Sequence, residues 1–286
     1  MNGYQRANGE SRVKGHSMHV TRPFPSIPAI GDHVGRAVEK HLEAAFRDLV
    51  RGPSVVNEDR FVRLITGAPH PFGNFAVVSD PDDLESTKAA IDPLLTCAAP
   101  AAVLYPGSTG KEVDEYLRTQ GFKDQGAMPA MAVEIEKMTA TTLPEDYEFV
   151  RTGGGKESEE WAEGFAVGYE LPIAVARVFS SSSIRGDMAP NAPVQFFAIL
   201  KDAKPVSTSL LYLHGGLAGI YCVATVPAER GRGLGAHVTA EPLRIAFGLG
   251  YRVGVLQSSV VGHPVYKRLG FADFGGVPLY IHVPTS

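Results

Sequence analysis

The sequence predicts a mixed α/β (α+β) protein of two tandem domains, each a mixed, mostly antiparallel sheet flanked by helices. Three observations support this fold class. Helical and extended apolar patterns alternate along the chain, the second half contains a run of strands separated by tight turns, and one nine-residue motif occurs twice. A chain of 286 residues also exceeds what one hydrophobic core usually serves, which favours two domains.

The composition indicates a globular protein without a bulk basic surface. Hydrophobic residues make up 44% and charged residues 20% of the chain, unlike a disordered sequence. The formal net charge of -4 provides no overall positive field for phosphate backbones or anionic lipids. We therefore expect neither nucleic acid nor a membrane as the main partner.

Cysteine usage and the absence of targeting patterns indicate a reducing compartment. Cys97 and Cys222 lie far apart, and no Cys/His run has the spacing of zinc ligands, so neither a disulfide scaffold nor a bound metal is expected. The N-terminus has no apolar signal-peptide core, and no stretch approaches the ~18 apolar residues of a membrane span. These features predict a cytoplasmic protein.

The first half alternates helices and strands after an irregular lead-in. Residues 1–31 are rich in Gly, Pro and Ser and are expected to lack regular structure. From Asp32, a suitable N-cap, apolar residues recur at helical spacing until Gly52 and Pro53 end the run. The patterns that follow predict strands at 61–66, 74–79, 101–105 and 130–136, and helices at 84–97 and 110–119.

The second half begins after Met138 with a linker of turn formers and continues as an antiparallel meander. A glycine-rich loop then leads into a helix. The patterns predict one helix at 156–168, another from the glycine-rich loop to Gly250, and a short helix ending in YKRLGF. They predict strands at 194–200, 207–214, 219–226 and 252–259, and a last strand at 278–283.

A repeated motif divides the chain into two related halves. GFxDxGxxP occurs at 121–129 and again at 270–278, 149 positions later, and each copy follows a predicted helix and precedes a predicted strand. Duplication explains this shared context. A chance match in a Gly-rich chain would not require both copies to lie between a helix and a strand. We therefore predict an irregular segment at 1–31, a first domain at 32–138 and a second domain at 139–286.

The strongest local signal is the loop VPAERGRGLGA at 226–236, which follows one strand and opens a helix. Its consecutive N–H groups can converge on an anion, its glycines let phosphate oxygens approach, and the helix N-terminus contributes its positive dipole end. Arg230 and Arg232 add positive charge. The pattern predicts a pyrophosphate cradle.

Two other phosphate-binding motifs fit this sequence less well. No Lys-Ser/Thr pair follows the 226–236 loop, so it is not a Walker P-loop, and the segment at 107–111 continues with Glu112 and is interpreted as a turn. A dinucleotide fingerprint requires the first strand of a parallel unit, whereas this loop follows an antiparallel meander.

The loop resembles the Arg/Gln-x-x-Gly-x-Gly/Ala signature of the GNAT N-acetyltransferase superfamily, with Arg230, Gly233 and Gly235 at the defining positions. Residues 257–271, QSSVVGHPVYKRLGF, resemble that superfamily's second motif, a strand and a short helix with a tyrosine and LGF. The two motifs, in this order along the chain, fit the whole second half of the sequence. The resemblance implies two tandem acyl-CoA N-acyltransferase-like domains, as in tandem acetyltransferases of this superfamily in which one half lacks a cofactor site.

The resemblance also implies where acetyl-CoA binds: a gap between the strand ending at Val226 and the strand at 252–259. The pantetheine would pair with backbone at this strand end and the pyrophosphate with N–H groups of 231–236. Tyr266 matches the tyrosine that acts as general acid on the departing thiolate, and Ser259 either touches the cofactor or caps the next helix. The implied cofactor-binding residues are Ala224, Thr225, Val226, Arg230, Gly231, Arg232, Gly233, Leu234, Gly235, Ala236, Ser259 and Tyr266.

The implied activity is transfer of an acetyl group from acetyl-CoA to the amine of a small molecule by direct attack on the thioester. A protein or peptide acceptor would instead require an open groove. Residues 221–225 supply no carboxylate as general base, so Tyr169, Glu170 and His214 are candidates for a water-mediated proton relay. Cys222, isolated in an apolar strand, is interpreted as a buried small hydrophobe. The missing base leaves a non-catalytic acyl-CoA sensor or partner-binding module as the alternative.

In the first half, the same 149-residue offset sets residues 81–86 opposite the cradle. Every glycine is gone, and Asp82, Asp83 and Glu85 stand where phosphates would lie and would repel them. An ordinary solvated helix start would also explain these acids. We expect a degenerate acetyltransferase-like domain that shapes the acceptor cleft. Because one chain contains both halves, we expect a monomer, with a homodimer as the alternative.

Overall fold

The computed structural model describes residues 5–6, 30–31, 34–184 and 189–284. Most of the predicted irregular segment at 1–31, together with the predicted N-cap Asp32, lies outside these residues. Gln5–Arg6, which are described, form a short strand that pairs with Val150 and Arg151. This part of the lead-in is therefore not irregular.

The described residues form strands and helices that alternate along the chain. The strands are β1 (Gln5–Arg6), β2 (Val55–Glu58), β3 (Phe61–Ile65), β4 (Asn74–Val78), β5 (Ala101–Leu104), β6 (Lys123–Glu134), β7 (Glu148–Thr152), β8 (Val194–Lys201), β9 (Lys204–His214), β10 (Leu217–Thr225), β11 (Val253–Gln257) and β12 (Ala272–His282). The α-helices are α1 (Val34–Leu49), α2 (Leu84–Thr96), α3 (Lys111–Thr119), α4 (Lys156–Tyr169), α5 (Ile173–Val178), α6 (Leu234–Gly248) and α7 (His263–Leu269).

Within the described part of the chain, all twelve strands belong to one sheet, in the order β1-β7-β8-β9-β10-β11-β6-β12-β5-β4-β3-β2. The pairs β4–β5 and β10–β11 are parallel, and the other neighbours are antiparallel. The predicted fold class, a mixed and mostly antiparallel α/β structure flanked by helices, is confirmed. One expectation changes, because the two half-sheets are continuous rather than separate.

The repeated motif occupies a different place from the one predicted. From their third residues onward, both copies of GFxDxGxxP lie inside β6 and β12 instead of leading into a strand. Turn-forming residues fit here because the ladder is irregular: Gly126 has φ +80°, and the register shifts between Asp273 and Gly275. The short elements β2 and α5 were not predicted either, because four and six residues are too few for a periodic pattern.

The two halves repeat one order of elements and exchange their last strands. The series β4, α2, β5, α3, β6 corresponds to β10, α6, β11, α7, β12. However, β6 lies beside β11 and β12 lies beside β5, so each last strand completes the sheet of the other half. In the β6–β12 pair, Met128 lies opposite Val277, and these residues are 149 positions apart, the offset of the sequence repeat. A pseudo-twofold axis therefore passes through this pair.

Helices cover both faces of the sheet around the second half. On one face α6 buries Val238 and Leu243 against side chains of β9 and β10. On the other face α4 buries Trp161, whose indole N–H donates to the carbonyl oxygen of Phe197 at 3.0 Å. Helix α1, from the first half, also packs on this second face, across β11, β6 and β12. The end of β10 is thus enclosed by elements of both halves.

Candidate functional site

The parallel strands β10 and β11 separate soon after they meet. They pair at Ala218 with Gly254 and at Gly219 with Val255, and beyond these two positions β10 is paired with β9 alone. A bulge interrupts that ladder between Tyr221 and Ala224 and gives Cys222 a φ of +52°. The bulge turns the end of β10 away from β11. A gap with unshared strand edges therefore opens on the side towards α6.

The loop after β10 leaves the N-terminus of α6 uncapped by any side chain. The first backbone bond of the helix is donated by His237 to the carbonyl of Gly233, at 3.0 Å. The N–H groups of Leu234, Gly235 and Ala236 therefore have no acceptor within the helix. Gly231 and Gly233 have φ of +79° and +80°, and a Cβ at either position would meet nothing within 4 Å. The loop is glycine-rich because of its backbone conformation, and the space beside it is open.

The two arginines of the loop serve different purposes. Arg230 donates to the carbonyl oxygens of Thr225 at 3.1 Å and Gly168 at 2.8 Å, so it joins the loop to the ends of β10 and α4. Its guanidinium also lies 3.9 Å from the carboxylate of Glu170. Arg232 pairs with Glu229 at 3.1 Å and is half-exposed. The sequence assigned both arginines to the cradle by charge, whereas Arg230 acts mainly on protein backbone.

Glu229 organises the far side of the loop. It accepts hydrogen bonds from Lys201 at 2.9 Å and from the Tyr147 hydroxyl at 2.5 Å. These donors lower the pKa of the Glu229 carboxyl below its usual range. The negative charge is thus balanced by Lys201 and Arg232, and the cradle presents no unpaired acid to an anion.

The predicted pantetheine-binding end of β10 is partly occupied by protein contacts. The N–H of Val226 donates to Val206 at 2.9 Å, and the carbonyl of Thr225 accepts from Arg230. Ala224 is buried, and its carbonyl accepts from the Ser207 hydroxyl at 2.8 Å. In the bulge, Cys222 and Val223 have no register partner on β9 or β11. The Cys222 carbonyl accepts from the Thr208 hydroxyl at 3.1 Å, and the rest of the bulge backbone is the stretch of β10 best placed to receive an extended ligand.

Tyr266 lies on α7 with its side chain buried against the Phe271 ring, at a centroid distance of 5.9 Å. Within the described residues its hydroxyl makes no side-chain hydrogen bond. Burial, and secondarily the hydroxyl of Tyr169, raises the pKa of Tyr266 above its usual range. The phenol is therefore protonated at neutral pH and can donate a proton. The influence of Tyr169 on Tyr266 indicates that the end of α4 lies near α7.

Ser259, for which the sequence allowed two roles, accepts the N–H of Gly262 at 3.1 Å. This contact begins the turn into α7, as a capping residue does. The neighbouring Ser258 is buried and donates to the Ser259 carbonyl at 2.7 Å. The geometry favours the structural role of Ser259.

The three candidate relay residues lie in different surroundings. Tyr169 ends α4, and burial followed by the nearby Cys222 thiol raises the pKa of its hydroxyl. Glu170 is exposed and lies beside Arg230. His214 lies at the end of β9, where its Nδ1 is 3.0 Å from the Tyr212 hydroxyl. Burial also raises the pKa of Cys222 to about 12, which agrees with its interpretation as an unreactive thiol.

Residues from the first half, not identified from the sequence, line the other side of the gap. The Nδ1 of His41, on α1, lies 2.8 Å from the Tyr221 hydroxyl of β10. Phe72, in the loop before β4, packs its ring against Tyr169 at 5.9 Å. A histidine on the apolar face of α1 was the available signal for the first contact. No local pattern indicates the second, which depends on how the halves meet.

The corresponding region of the first half is closed. Strands β4 and β5 pair at three consecutive positions, from Phe75 to Val77. Asp83 caps α2 by accepting the N–H of Ser86 at 2.9 Å, and it also pairs with Arg60. These hydrogen bonds, those with Ser86 first, lower the pKa of Asp83 to about 2. The helix start is capped by the Asp83 carboxylate, and β5 stays paired with β4 up to its last residue, Leu104.

Other features of the described structure do not offer a second centre of this kind. A cavity of about 790 Å³ lies beyond the cradle, and its lining includes Glu145, Asp146 and Asp202, which would repel phosphates. Among the described residues, no group of three His, Cys, Asp or Glu side chains could hold a metal ion. None of the described helices has the length and apolar character needed to cross a bilayer.

The parted parallel strands and the uncapped, glycine-rich helix start are the features that the resemblance to acyl-CoA N-acyltransferases implied. Residues 152–271 match the family model of the acetyltransferase (GNAT) family. The match includes the gap, the loop and α7. No curated protein matches the sequence significantly.

Solved structures extend the similarity of fold to both halves. A GCN5-related N-acetyltransferase from Kribbella flavida has a TM-score of 0.60 and 19% identity, and the match covers 90% of this chain and 98% of that one. A GCN5-related N-acetyltransferase from Sphaerobacter thermophilus has a TM-score of 0.55 and 13% identity, and the match covers 89% of this chain and 94% of that one. A functionally unknown protein from Staphylococcus epidermidis has a TM-score of 0.56 and 12% identity, and the match covers 84% of this chain and 98% of that one. Such low identities establish the fold alone.

Proposed function

We propose that this chain is an acetyl-CoA-dependent N-acetyltransferase that acetylates the amine of a small molecule. The observation that carries the proposal is the separation of β10 from β11 beyond Gly219 and Val255, which leads directly to the uncapped start of α6. An amide-bearing pantetheine would satisfy strand edges in the gap, as an added strand does. The N–H groups of 231–236 would receive the pyrophosphate.

The chemistry requires no covalent enzyme intermediate. The amine attacks the thioester carbonyl, a tetrahedral oxyanion forms, and the carbon–sulfur bond breaks as the thiolate leaves. Tyr266 is the proposed general acid, because its hydroxyl is protonated and free of side-chain partners within the described residues. Enclosure of the acceptor side by Phe72, Tyr169 and α1 favours a small amine over a protein segment.

The first half has a structural part in this proposal. Its β4–β5 pair is closed and its α2 start is self-capped, which supports a degenerate domain at 32–138 beside a catalytic domain at 139–286. The exchanged strands β6 and β12 join the halves within one chain. We therefore propose that the protein works as a monomer. We also propose that it acts without a metal ion and in the cytoplasm.

Binding of acetyl-CoA is tested with two matched glycine substitutions. Gly233 and Gly126 both have φ +80° and open space beside them, so an aspartate costs similar backbone strain at each. For the wild type and Gly126→Asp, acetyl-CoA at 100 times its Kd should add about 2.7 kcal/mol to the free energy of unfolding. Gly233→Asp should abolish this gain in thermal-shift measurements. Equal protection of all three proteins would refute the proposed site.

Turnover distinguishes the enzyme from the alternative, a non-catalytic acyl-CoA sensor. The lack of a carboxylate on β10 between Tyr221 and Thr225 favours that alternative. An amine panel with detection of released thiol should reveal turnover by the wild type. Tyr266→Phe should lower kcat about 100-fold or more, with acetyl-CoA protection retained. Acetyl-CoA protection without turnover of any amine would support the sensor.

A further inference from the structure

His41 is a buried polar side chain of α1 at the junction of the two halves, and the proposed chemistry does not yet use it. Its side chain is 2% exposed, and its ring lies over Gly219, where an added Cβ would approach the His41 Cε1 to 2.3 Å. Gly219 belongs to the last β10–β11 pair before the gap. The imidazole therefore lies at the point where the two strands begin to part.

Helix α1 contacts both edges of the gap at this point. On β10, the Tyr221 hydroxyl lies 2.8 Å from His41 Nδ1. On β11, the Gln257 amide donates to the Val38 carbonyl at 3.4 Å. Tyr221 and Gln257 each follow the Gly219–Val255 pair by two residues, so their side chains point to the same face of the sheet. The first half thus supplies the element that spans the reaction centre.

The surroundings of His41 keep its imidazole neutral. Burial, with a smaller contribution from His214, lowers the pKa of His41 to about 3. The groups that face it are Tyr221 of β10 and Tyr212 and His214 of β9, the two β9 rings at centroid distances of 5.2 and 6.1 Å. Neutral imidazole has one nitrogen that accepts a hydrogen bond. With the hydrogen on Nε2, Nδ1 accepts the hydroxyl proton of Tyr221, and the lone pairs of the Tyr221 oxygen are left for another donor.

We propose that Tyr221 removes the proton from the acceptor amine and that His41, contributed by the first half, acts through Tyr221 by receiving the hydroxyl proton. This inference rests on the proposed acetyl transfer. As the new carbon–nitrogen bond forms, the ammonium proton passes to the Tyr221 oxygen and the Tyr221 proton passes to His41 Nδ1. Tyr266 separately protonates the thiolate. The products are the acetamide and CoA thiol. Once the acetamide has left, His41 returns its proton through the Tyr221 hydroxyl to solvent, and Tyr266 regains a proton from solvent.

Polar side chains between His41 and the surface form a second hydrogen-bonded group. The Tyr212 hydroxyl, beside the His41 ring, donates to the Asp48 carboxylate and lies 3.0 Å from His214 Nδ1. Asp48 and His214 have side chains that are 49% and 42% exposed. The Nε2 of His41 is buried and has no hydrogen-bond partner among the described residues. A proton on the imidazole is therefore unstable where it stands, and the Tyr221 hydroxyl on Nδ1 is the hydrogen-bonded group that can take it back.

The test is a double-mutant cycle on the pair. Tyr221→Phe removes the hydroxyl, and His41→Asn keeps an acceptor near the Nδ1 position without a titrating imidazole. Each single variant should lower kcat about 100-fold, with the KM for both substrates within about threefold of wild type. The double variant should lose no more than the worse single variant, because the residues act as a unit. Tyr105→Phe, which removes a buried hydroxyl bonded to Thr87 at 3.0 Å in the first half, is the matched control and should keep full kcat.

A second readout separates proton transfer from packing. The loss of kcat in Tyr221→Phe should be larger for a strongly basic alkylamine than for a weakly basic amine, because the weakly basic ammonium releases its proton with less help. A purely structural role predicts equal losses for both amines. Equal losses, or a kcat within threefold of wild type in either single variant, would overturn the inference. If His41→Asn does not fold, Tyr221→Phe alone decides.

The outcome is distinguishable from failure of the proposed function. Acetyl-CoA protection and wild-type turnover report on the transferase itself, whereas the variants report on the base. A wild type that binds acetyl-CoA but acetylates no amine refutes the transferase and this inference together. A wild type that turns over, with variants that keep their kcat, refutes this inference alone.

Discussion

At the scale of single residues, the fold tolerates a buried titratable group at the junction of its halves. His41 lies among Tyr212, Tyr221 and His214, and the enclosed imidazole loses hydration that its charged form requires. Its pKa of about 3 therefore lies well below the usual 6.5. Between these values the unfolded chain binds a proton that the native state rejects, so native stability is lost as the pH falls below 6.5.

This linkage predicts an acid sensitivity specific to His41. Between pH 7.5 and pH 5, the free energy of unfolding of the wild type should fall by about 2 kcal/mol on account of His41 alone. In His41→Asn this contribution should be absent, while other groups, including His70 and His237, titrate in both proteins. Denaturant unfolding at the two pH values measures the difference. An identical pH dependence in both proteins would contradict a neutral, buried His41.

At the scale of elements, the end of α4 sets the position of the end of β10. An added Cβ at Gly168 would lie 2.8 Å from the Ala224 Cβ and 3.0 Å from the Thr225 nitrogen. Arg230 connects the same elements through the carbonyls of Gly168 and Thr225. A glycine at this helix position thus permits the close approach that places the bulge beside Tyr169.

The close approach predicts opposite effects for two helical Gly→Ala substitutions. Gly168→Ala should destabilise the protein by about 1–3 kcal/mol through overpacking and should lower activity by displacing the end of β10. Gly248→Ala, at the end of α6 with nothing within 4 Å of an added Cβ, should stabilise it by up to about 1 kcal/mol without loss of activity. Thermal unfolding and turnover of both variants test this. Similar effects of the two substitutions would exclude the packing argument.

At the scale of the whole molecule, the exchange of β6 and β12 makes the two halves interdependent. Without residues 32–138, β11 would lose β6 and expose an unpaired strand edge, and the gap would lose the cover of α1. The halves share a repeated motif and one order of elements, but neither sheet is complete alone. Interdependence also explains why a half whose own parallel strands do not part contributes to the candidate site.

Expression of the halves separately tests this interdependence. The fragment 139–286 alone should be insoluble or unable to bind acetyl-CoA, whereas co-expression with 1–138 should give a complex that copurifies and recovers acetyl-CoA protection. The uncut chain is the reference for both measurements. A soluble fragment 139–286 with wild-type acetyl-CoA affinity would show that the first half is dispensable for the cofactor site.

Much of the site could be predicted from the sequence because it is local. The loop at 226–236 owes its shape to glycines at positive φ and to a helix that starts directly after them, and both properties follow from neighbouring residues. The alternation of elements followed from apolar periodicity in the same way. The parting of β10 and β11 could be inferred from the resemblance alone, since strand separation leaves no local signature.

The sequence by itself determined most of the elements, the repeated motif, the glycine-rich loop before α6 and the place of Tyr266 on a short helix, because each is encoded within a few turns of chain. The tertiary structure decided what depends on distant segments: that the half-sheets join, that Arg230 binds backbone, and that α1 brings His41 to Tyr221, a residue 180 positions away. Burial and pairing between such segments arise only when the halves pack together. For that reason the second side of the gap could not be read from either half.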